Sequence, residues 1–209
     1  MNVFVVYCHP DRESLAGTAL ERVMAGLQQG GHSIRLSDLY ADGFDPALSA
    51  AERANQLVDH REHPEVRADL QEYIDNLTWC DTLVLVYPTW WGGQPAMLKG
   101  WFDRVWVTGV VYEAPAGKNR ITSLLHNVQR IVVVTTHGSP KRVNALQGEP
   151  GKRTVTRSLR ALCNRWCRTD WISLYDVDRA TPDDCRRFLD RVERHMATMR
   201  TRRQAKAPA

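Results

Sequence analysis

The sequence predicts an α/β protein, a three-layer sandwich around a five-stranded parallel sheet of order 2-1-3-4-5. Three observations carry the prediction. Strand-like apolar runs alternate with helix-periodic segments, the pattern of parallel strands joined by crossover helices. The central runs, VFVVYC at residues 3–8, TLVLVY at 82–87 and IVVVTT at 131–136, are apolar at nearly every position. Strands buried on both faces read that way. At 209 residues the chain can bury the core of one such domain.

The elements follow in order. After the strand at residues 3–8, Leu15, Ala19, Leu20, Val23, Met24 and Leu27 recur at helical spacing, and Gly30-Gly31 ends that helix. Residues 33–39 alternate less cleanly, as an edge strand does. A polar stretch runs from residue 40 to about 64, long enough to be functional or mobile. A helix from there to Leu77 leads into the strand at 82–87. Pro95 opens the next helix, marked by Met97, Leu98, Trp101, Phe102 and Val105. Past the strand at 131–136, Val155, Leu159, Leu162, Cys163 and Trp166 form a helical stripe. Residues 171–177 are the fifth strand, and Thr181-Pro182 opens a last helix through Phe188, Leu189, Val192 and Met196.

The expected organisation is one domain over residues 1–199 and a basic tail over 200–209. That tail holds Arg200, Arg202, Arg203 and Lys206 and no acid. The chain carries 28 Lys and Arg against 24 Asp and Glu, so without the tail's four bases the body is formally neutral. No concentrated basic face marks it as a nucleic-acid binder. No run approaches the length of a membrane span, and the start lacks a secretory leader; the expected location is the cytoplasm. Five scattered cysteines do not read as a disulfide framework. Cys163 and Cys167, four apart on one helix face, read as small buried apolar side chains. No CxxC is present, and His60 and His63 lack the rest of a zinc motif, so no metal is expected.

In a doubly wound sheet ligands bind at the carboxyl ends of the strands, where the strand order reverses. After the first strand, His9-Pro10-Asp11-Arg12-Glu13-Ser14-Leu15-Ala16 runs into a helix N-terminus, whose free N–H groups and dipole favour an anion. Ser14 is placed both to cap that helix and to donate to a phosphate. Neither GxGxxG nor GxxxxGK[ST] is present, which removes support from a dinucleotide fingerprint and a P-loop. After the third strand, Pro88-Thr89-Trp90-Trp91-Gly92-Gly93-Gln94-Pro95 puts two indoles beside glycines that admit a flat ligand. After the fourth, Thr135-Thr136-His137-Gly138-Ser139-Pro140 suits a loop pressed against a ring edge.

These residues resemble the NAD(P)H:quinone oxidoreductases of flavodoxin-like fold, the DT-diaphorase-like group with its short bacterial members. The likeness runs from Met1 to about His195. Its most specific stretch is YPTWWGGQPAMLKGWFDRV at residues 87–105, with SDLYADGFDP at 37–46, VVYE around Tyr112 and LQG at 146–148. The resemblance implies a flavodoxin-like sandwich that binds FMN, or FAD as the alternative. It implies hydride transfer from NAD(P)H through the flavin to a quinone-like acceptor in a ping-pong cycle. By position, His9, Ser14, Leu15 and Ala16 surround the flavin phosphate. Pro88, Thr89, Trp90, Trp91 and Gly92 form one loop on the isoalloxazine, and Thr135, Thr136, His137 and Gly138 the other. Trp91 and Tyr112 wall the substrate slot, and Tyr112 serves a partner's site if the chain is a homodimer, as family members are.

Two departures stand out. Mammalian members carry a tyrosine just before LQG and a histidine soon after it, which stabilise charge on the reduced flavin; the aligned residues here are Asn144 and Pro150. His137 replaces a glycine common in the second loop. It is the candidate donor to the flavin edge, or else a loop histidine facing solvent. Two other roles remain open, an electron-carrier flavodoxin and an ancillary regulatory subunit of a potassium-efflux system. Arg53, Arg61 and Lys118 are the candidates to meet a 2′-phosphate, without deciding NADH against NADPH.

Overall fold

Alternate side chains of the central strands divide between two apolar layers. In β1 (Asn2–Tyr7), Phe4 and Val6 enter one layer while Val3, Val5 and Tyr7 enter the other. β3 (Thr82–Pro88) and β6 (Arg130–Thr136) do the same, with Leu83, Leu85, Ile131 and Val133 opposed to Val84, Val86, Val132 and Val134. Each of these side chains is buried, so the sheet is covered on both faces. β2 (Ser33–Asp38) and β7 (Arg168–Leu174) complete it in the all-parallel order β2-β1-β3-β6-β7. This is the expected doubly wound order, because β4 (Tyr112–Glu113) and β5 (Thr122–Ser123) pair separately as an antiparallel hairpin. The computed structural model describes residues 1–200 except 116, 118 and 119. Lys118 and the expected basic tail beyond Arg200 lie outside the described residues.

α1 (Leu15–Gln29) and α7 (Pro182–Thr198) cover one face. α3 (Gln71–Trp79) and α4 (Ala96–Val105) cover the other, where Trp101 is fully buried. Burying each large apolar side chain contributes roughly 1.5–3 kcal/mol. The starts of α1 and α7 follow from their caps. Ser14 Oγ accepts the Gly17 N–H, and Thr181 and Asp184 form a reciprocal capping box. Among the described residues no helix is long and apolar enough to cross a membrane.

The polar stretch after β2 is pinned rather than loose. It contains α2 (Ala50–Ala54), and the buried Arg104 of α4 reaches into it, donating to Glu52 at 2.7 Å and the Asp45 carbonyl at 2.6 Å, and beyond it to Asp69 at 2.7 Å.

Three expected elements differ. The helix expected from about residue 64 is a 3₁₀ segment, Pro64–Leu70, followed by α3. Arg67 leaves helical geometry at φ −135°, ψ 41°, and its buried guanidinium donates to the Asn55 carbonyl. The stripe expected from Val155 to Trp166 follows α6 (Pro150–Arg153) as a π-helical turn at Thr154–Leu159 and a 3₁₀ turn at Arg160–Leu162, and helical structure stops there. Cys163 is then extended and bridges Leu125, so it shares no helix face with Cys167, though both thiols are free and buried. The fifth strand lies at Arg168–Leu174 rather than 171–177, because polar Arg168 and Asp170 take ladder positions at the sheet edge, where Asp170 pairs with Arg130 at 2.5 Å.

Candidate functional site

The carboxyl ends of β1, β3 and β6 meet as the topology requires. The Cys8 N–H donates to Val86, and the Thr89 N–H donates to the Thr136 carbonyl at 2.8 Å. The Thr89 and Thr135 hydroxyls lie 3.0 Å apart. These bonds fasten the loop after β3 to the loop after β6. Beside them opens a cleft of about 520 Å³, lined by Thr89, Trp91, Gly92, His137 and Gly138 among others. Five of the expected site residues therefore share one cavity. Pro88 and Thr136 pair across the strand ends, and Thr135 is buried behind them.

The Trp90-Trp91 segment is a tight hairpin. The Trp90 N–H donates to Gly93 at 3.1 Å and the Gly93 N–H returns to Trp90 at 3.0 Å. Positive φ at Trp91 (51°) and Gly92 (75°) makes this a type I′ turn. Glycine takes that conformation freely, whereas a tryptophan there costs about 1–2 kcal/mol. The Trp91 ring is nonetheless fully exposed. Packing of the ring therefore does not offset that strain. Behind the turn, the Gly151 N–H donates to the Gly92 carbonyl, and Gln94 Nε2 donates to the Gly151 carbonyl at 2.8 Å.

At α1, the Ser14 hydroxyl donates to the Asp11 carbonyl at 2.6 Å while it accepts the Gly17 N–H at 3.2 Å. His9 Nδ1 lies 3.0 Å from Ser14 Oγ, so the imidazole is held over the turn. Leu15 and Ala16 send their side chains into the core. What they offer a ligand is first-turn N–H groups, which have no acceptor inside the helix. The His9 ring stands 6.1 Å from that of Trp90, linking the turn before α1 to the cleft loop.

His137 is buried, which excludes the solvent-facing alternative. It stacks on Tyr175 with ring centroids 4.4 Å apart and planes 12° from parallel. Burial holds its pKa below the ordinary histidine range. Asn144 faces the ring and works the other way, but its Nδ2 is engaged by the Ser139 and Pro140 carbonyls. Neither imidazole nitrogen reaches hydrogen-bond geometry with any group among the described residues.

Tyr112 is not brought to this cleft; it sits in the β4–β5 hairpin, half-buried against the larger core. Arg61 is engaged by Asp59 and Glu113 at 2.6 and 2.8 Å, and Arg53 is exposed. Sequence reasoning did not assign Ser139, Asn144, Gln147 and Pro150 to the lining, although the LQG motif lies among them. It passed over Gly151 and Tyr175 entirely. Tyr175 is 38 positions from His137 and carries no local signal.

A doubly wound parallel sheet with helices on both faces and a cleft at its carboxyl edge defines an α/β protein of the class whose ligands bind at that edge. Residues 1–200 match the family model of the flavodoxin-like fold, and the chain belongs to that family. It is similar to an NAD(P)H:quinone oxidoreductase from Methanothermobacter marburgensis, with TM-score 0.82 and 26% identity over 95% of this chain and 98% of that one. A protein from Streptococcus mutans UA159 matches at TM-score 0.82 and 27% identity, over 95% of this chain and 100% of that one. An uncharacterized NAD(P)H oxidoreductase of Haemophilus influenzae is 35% identical over 136 residues, 65% of this chain and 64% of the relative. The chain spans between 45% and 64% of the length of the first curated relatives it matches.

Proposed function

We propose that the chain is a cytoplasmic, homodimeric, flavin-dependent NAD(P)H:quinone oxidoreductase. The observation that carries this reading is the cleft between Trp91-Gly92 and His137-Gly138 at the carboxyl ends of β3 and β6. The residues present fit a flavin. Unpartnered His137 nitrogens border the cleft, Gly93 leaves open space where a side chain would stand, and α1 presents an anion site beside Trp90. When bound, the flavin supplies the hydride relay between nicotinamide and acceptor. The named solved relative from Methanothermobacter marburgensis supports the quinone as acceptor.

The chain's own residues bind and orient. Ser14 with the Leu15 and Ala16 N–H groups, aided by His9, holds the single phosphate of FMN; FAD is the alternative. The loops at residues 88–92 and 135–138 grip the ring and fix its plane. Trp91 walls the slot for nicotinamide and acceptor in turn. Tyr112, away from its own cleft, walls the partner's. Trp91 and Leu146 expose large apolar surface beside the cleft, which a second copy would cover. Five free thiols suit a reducing compartment.

The test is an absorption spectrum of the purified protein before and after anaerobic NADPH, followed by addition of a quinone. Flavin bands that bleach and then return are expected. A protein that takes up neither FMN nor FAD overturns the reading.

A further inference from the structure

Among the described residues, His137 is the only titratable side chain lining the cleft. It is 6% exposed, and both ring nitrogens lack a hydrogen-bond partner among the described residues. Leaving a buried polar group unmatched costs about 1–3 kcal/mol, and such a group in a native fold calls for a role. The ring is held firmly in this costly place. The backbone N–H of His137 donates to the Leu174 carbonyl at 2.8 Å, and its backbone carbonyl accepts the Val177 N–H at 3.0 Å. Tyr175 stacks on one side and Trp171 stands 6.4 Å away, tilted. Tyr175 is itself fixed, its Oη donating to Glu149 Oε1 at 3.2 Å, while Lys152 binds the same carboxylate at 3.2 Å.

We propose that His137 takes up, and then delivers, the proton that two-electron reduction in this cleft requires. The inference rests on the proposed function and deepens it. NAD(P)H gives up a C–H bond as hydride, two electrons and one proton. A quinone becoming a hydroquinone gains two electrons and two protons. The second proton must therefore come from elsewhere. Hydride arrival adds a negative charge to the cleft without that proton. His137 takes H⁺ from bulk solvent, the one proton the overall reaction consumes, as the charge arrives; it then breaks its N–H bond to complete the second O–H of the product and returns to the neutral imidazole. Tyr175 and Glu149 are positioning residues for the ring.

The charges packed around His137 suit this sequence. Glu149, the residue before α6, and Lys152 within it act on His137 with opposite signs, and Asp178 stands against neighbouring Gly138. Burial dominates and keeps the imidazole neutral near pH 7 in the resting protein. A new negative charge in contact favours the protonated ring and reverses that balance.

The experiment is an NMR titration of the His137 ring in flavin-loaded wild-type protein, oxidised and after dithionite reduction. A resonance assigned by loss in His137→Gln identifies it. The expected result is a His137 pKa below the ordinary range when oxidised and clearly raised when reduced. The same value in both states overturns the proposal. Tyr175→Phe keeps the stack and loses the Glu149 bond; it should shrink the shift without abolishing flavin binding. His137→Gln should lower kcat for quinone reduction on the order of 10²-fold, with an unchanged KM for NADPH and loss of the matching limb of the pH profile. A fully active His137→Gln overturns the proposal. Should that variant fail to fold, the wild-type titration decides, its ring signal assigned from backbone connectivity. Protein that binds no flavin sinks the functional reading itself, a result distinct from a flavin-loaded protein whose histidine does not respond.

Discussion

The Gly151 N–H donates to the Gly92 carbonyl at 3.0 Å, and that approach leaves no room for a Cβ on Gly151. A Cβ there would stand 2.9 Å from Gly93 Cα and 3.0 Å from the Gly92 oxygen. Gly151 lies in α6, where alanine would ordinarily gain about 0.5–1 kcal/mol over glycine. Overpacking against rigid backbone costs about 1–3 kcal/mol and wins. Gly151→Ala should push the Trp91-Gly92 turn outward and weaken FMN binding by about tenfold, the equivalent of ~1.4 kcal/mol. A flavin fluorescence titration reads this directly. Wild-type affinity would show that the turn does not depend on its seat against α6.

Trp91 sets stability against function. Its φ of 51° favours asparagine, and its fully exposed ring gives little packing in return. Trp91→Asn should therefore raise stability by about 1 kcal/mol, seen as a higher denaturant midpoint. The same change removes a wall of the slot, so kcat/KM for the quinone should fall. A variant that is neither more stable nor less active would show that the ring does not work where its strain holds it.

The central strands and the starts of α1 and α7 were legible because their causes are local: nearly unbroken apolar runs, Ser14 before a helical stripe, Thr181-Pro182 with Asp184 behind. The cleft loops were legible because topology puts ligands at the ends of β1, β3 and β6, where the sequence is least ordinary. Other features have distant causes. The break at Arg67 follows from a bond to Asn55, twelve residues away. The π-helical turn after α6 leaves the apolar spacing of Val155 and Leu159 unchanged, so periodicity does not reveal it. The stacking of His137 on Tyr175 joins the ends of two neighbouring strands, and only the folded sheet brings them together.

Ser14 caps α1 and is assigned to a phosphate, and two substitutions separate those roles. Ser14→Ala removes the cap and should cost about 1 kcal/mol. Ser14→Asp keeps a good cap, so stability should hold, but it sets a carboxylate against the phosphate. FMN affinity should then fall by more than tenfold, at a cost above ~1.4 kcal/mol, while riboflavin, which has no phosphate, binds as before. Equal loss of both ligands would leave Ser14 a cap alone.

Arg104 ties the polar stretch after β2 to α4, and its removal should be felt most at neutral pH. Its side chain is 9% exposed and pairs with Glu52, 12% exposed, and Asp69, 63% exposed. The Asp69 arm is screened by water and adds little. Burial acts to raise the Glu52 pKa, but bonds from Ser49 and Arg104 outweigh it and hold the carboxyl below its ordinary 4.5. A depressed carboxylate contributes stability that is complete above its unfolded value and is lost as pH falls through the folded one. Arg104→Met leaves Glu52 buried without its countercharge and should cost about 3 kcal/mol at pH 7. With the pairing gone, the variant has less to lose in acid. Urea midpoints of wild type and variant should therefore converge between about pH 5 and pH 3. A gap that stays constant over that range would mean Arg104 acts through packing against Phe44, whose ring lies 5.4 Å from its guanidinium, and not through charge.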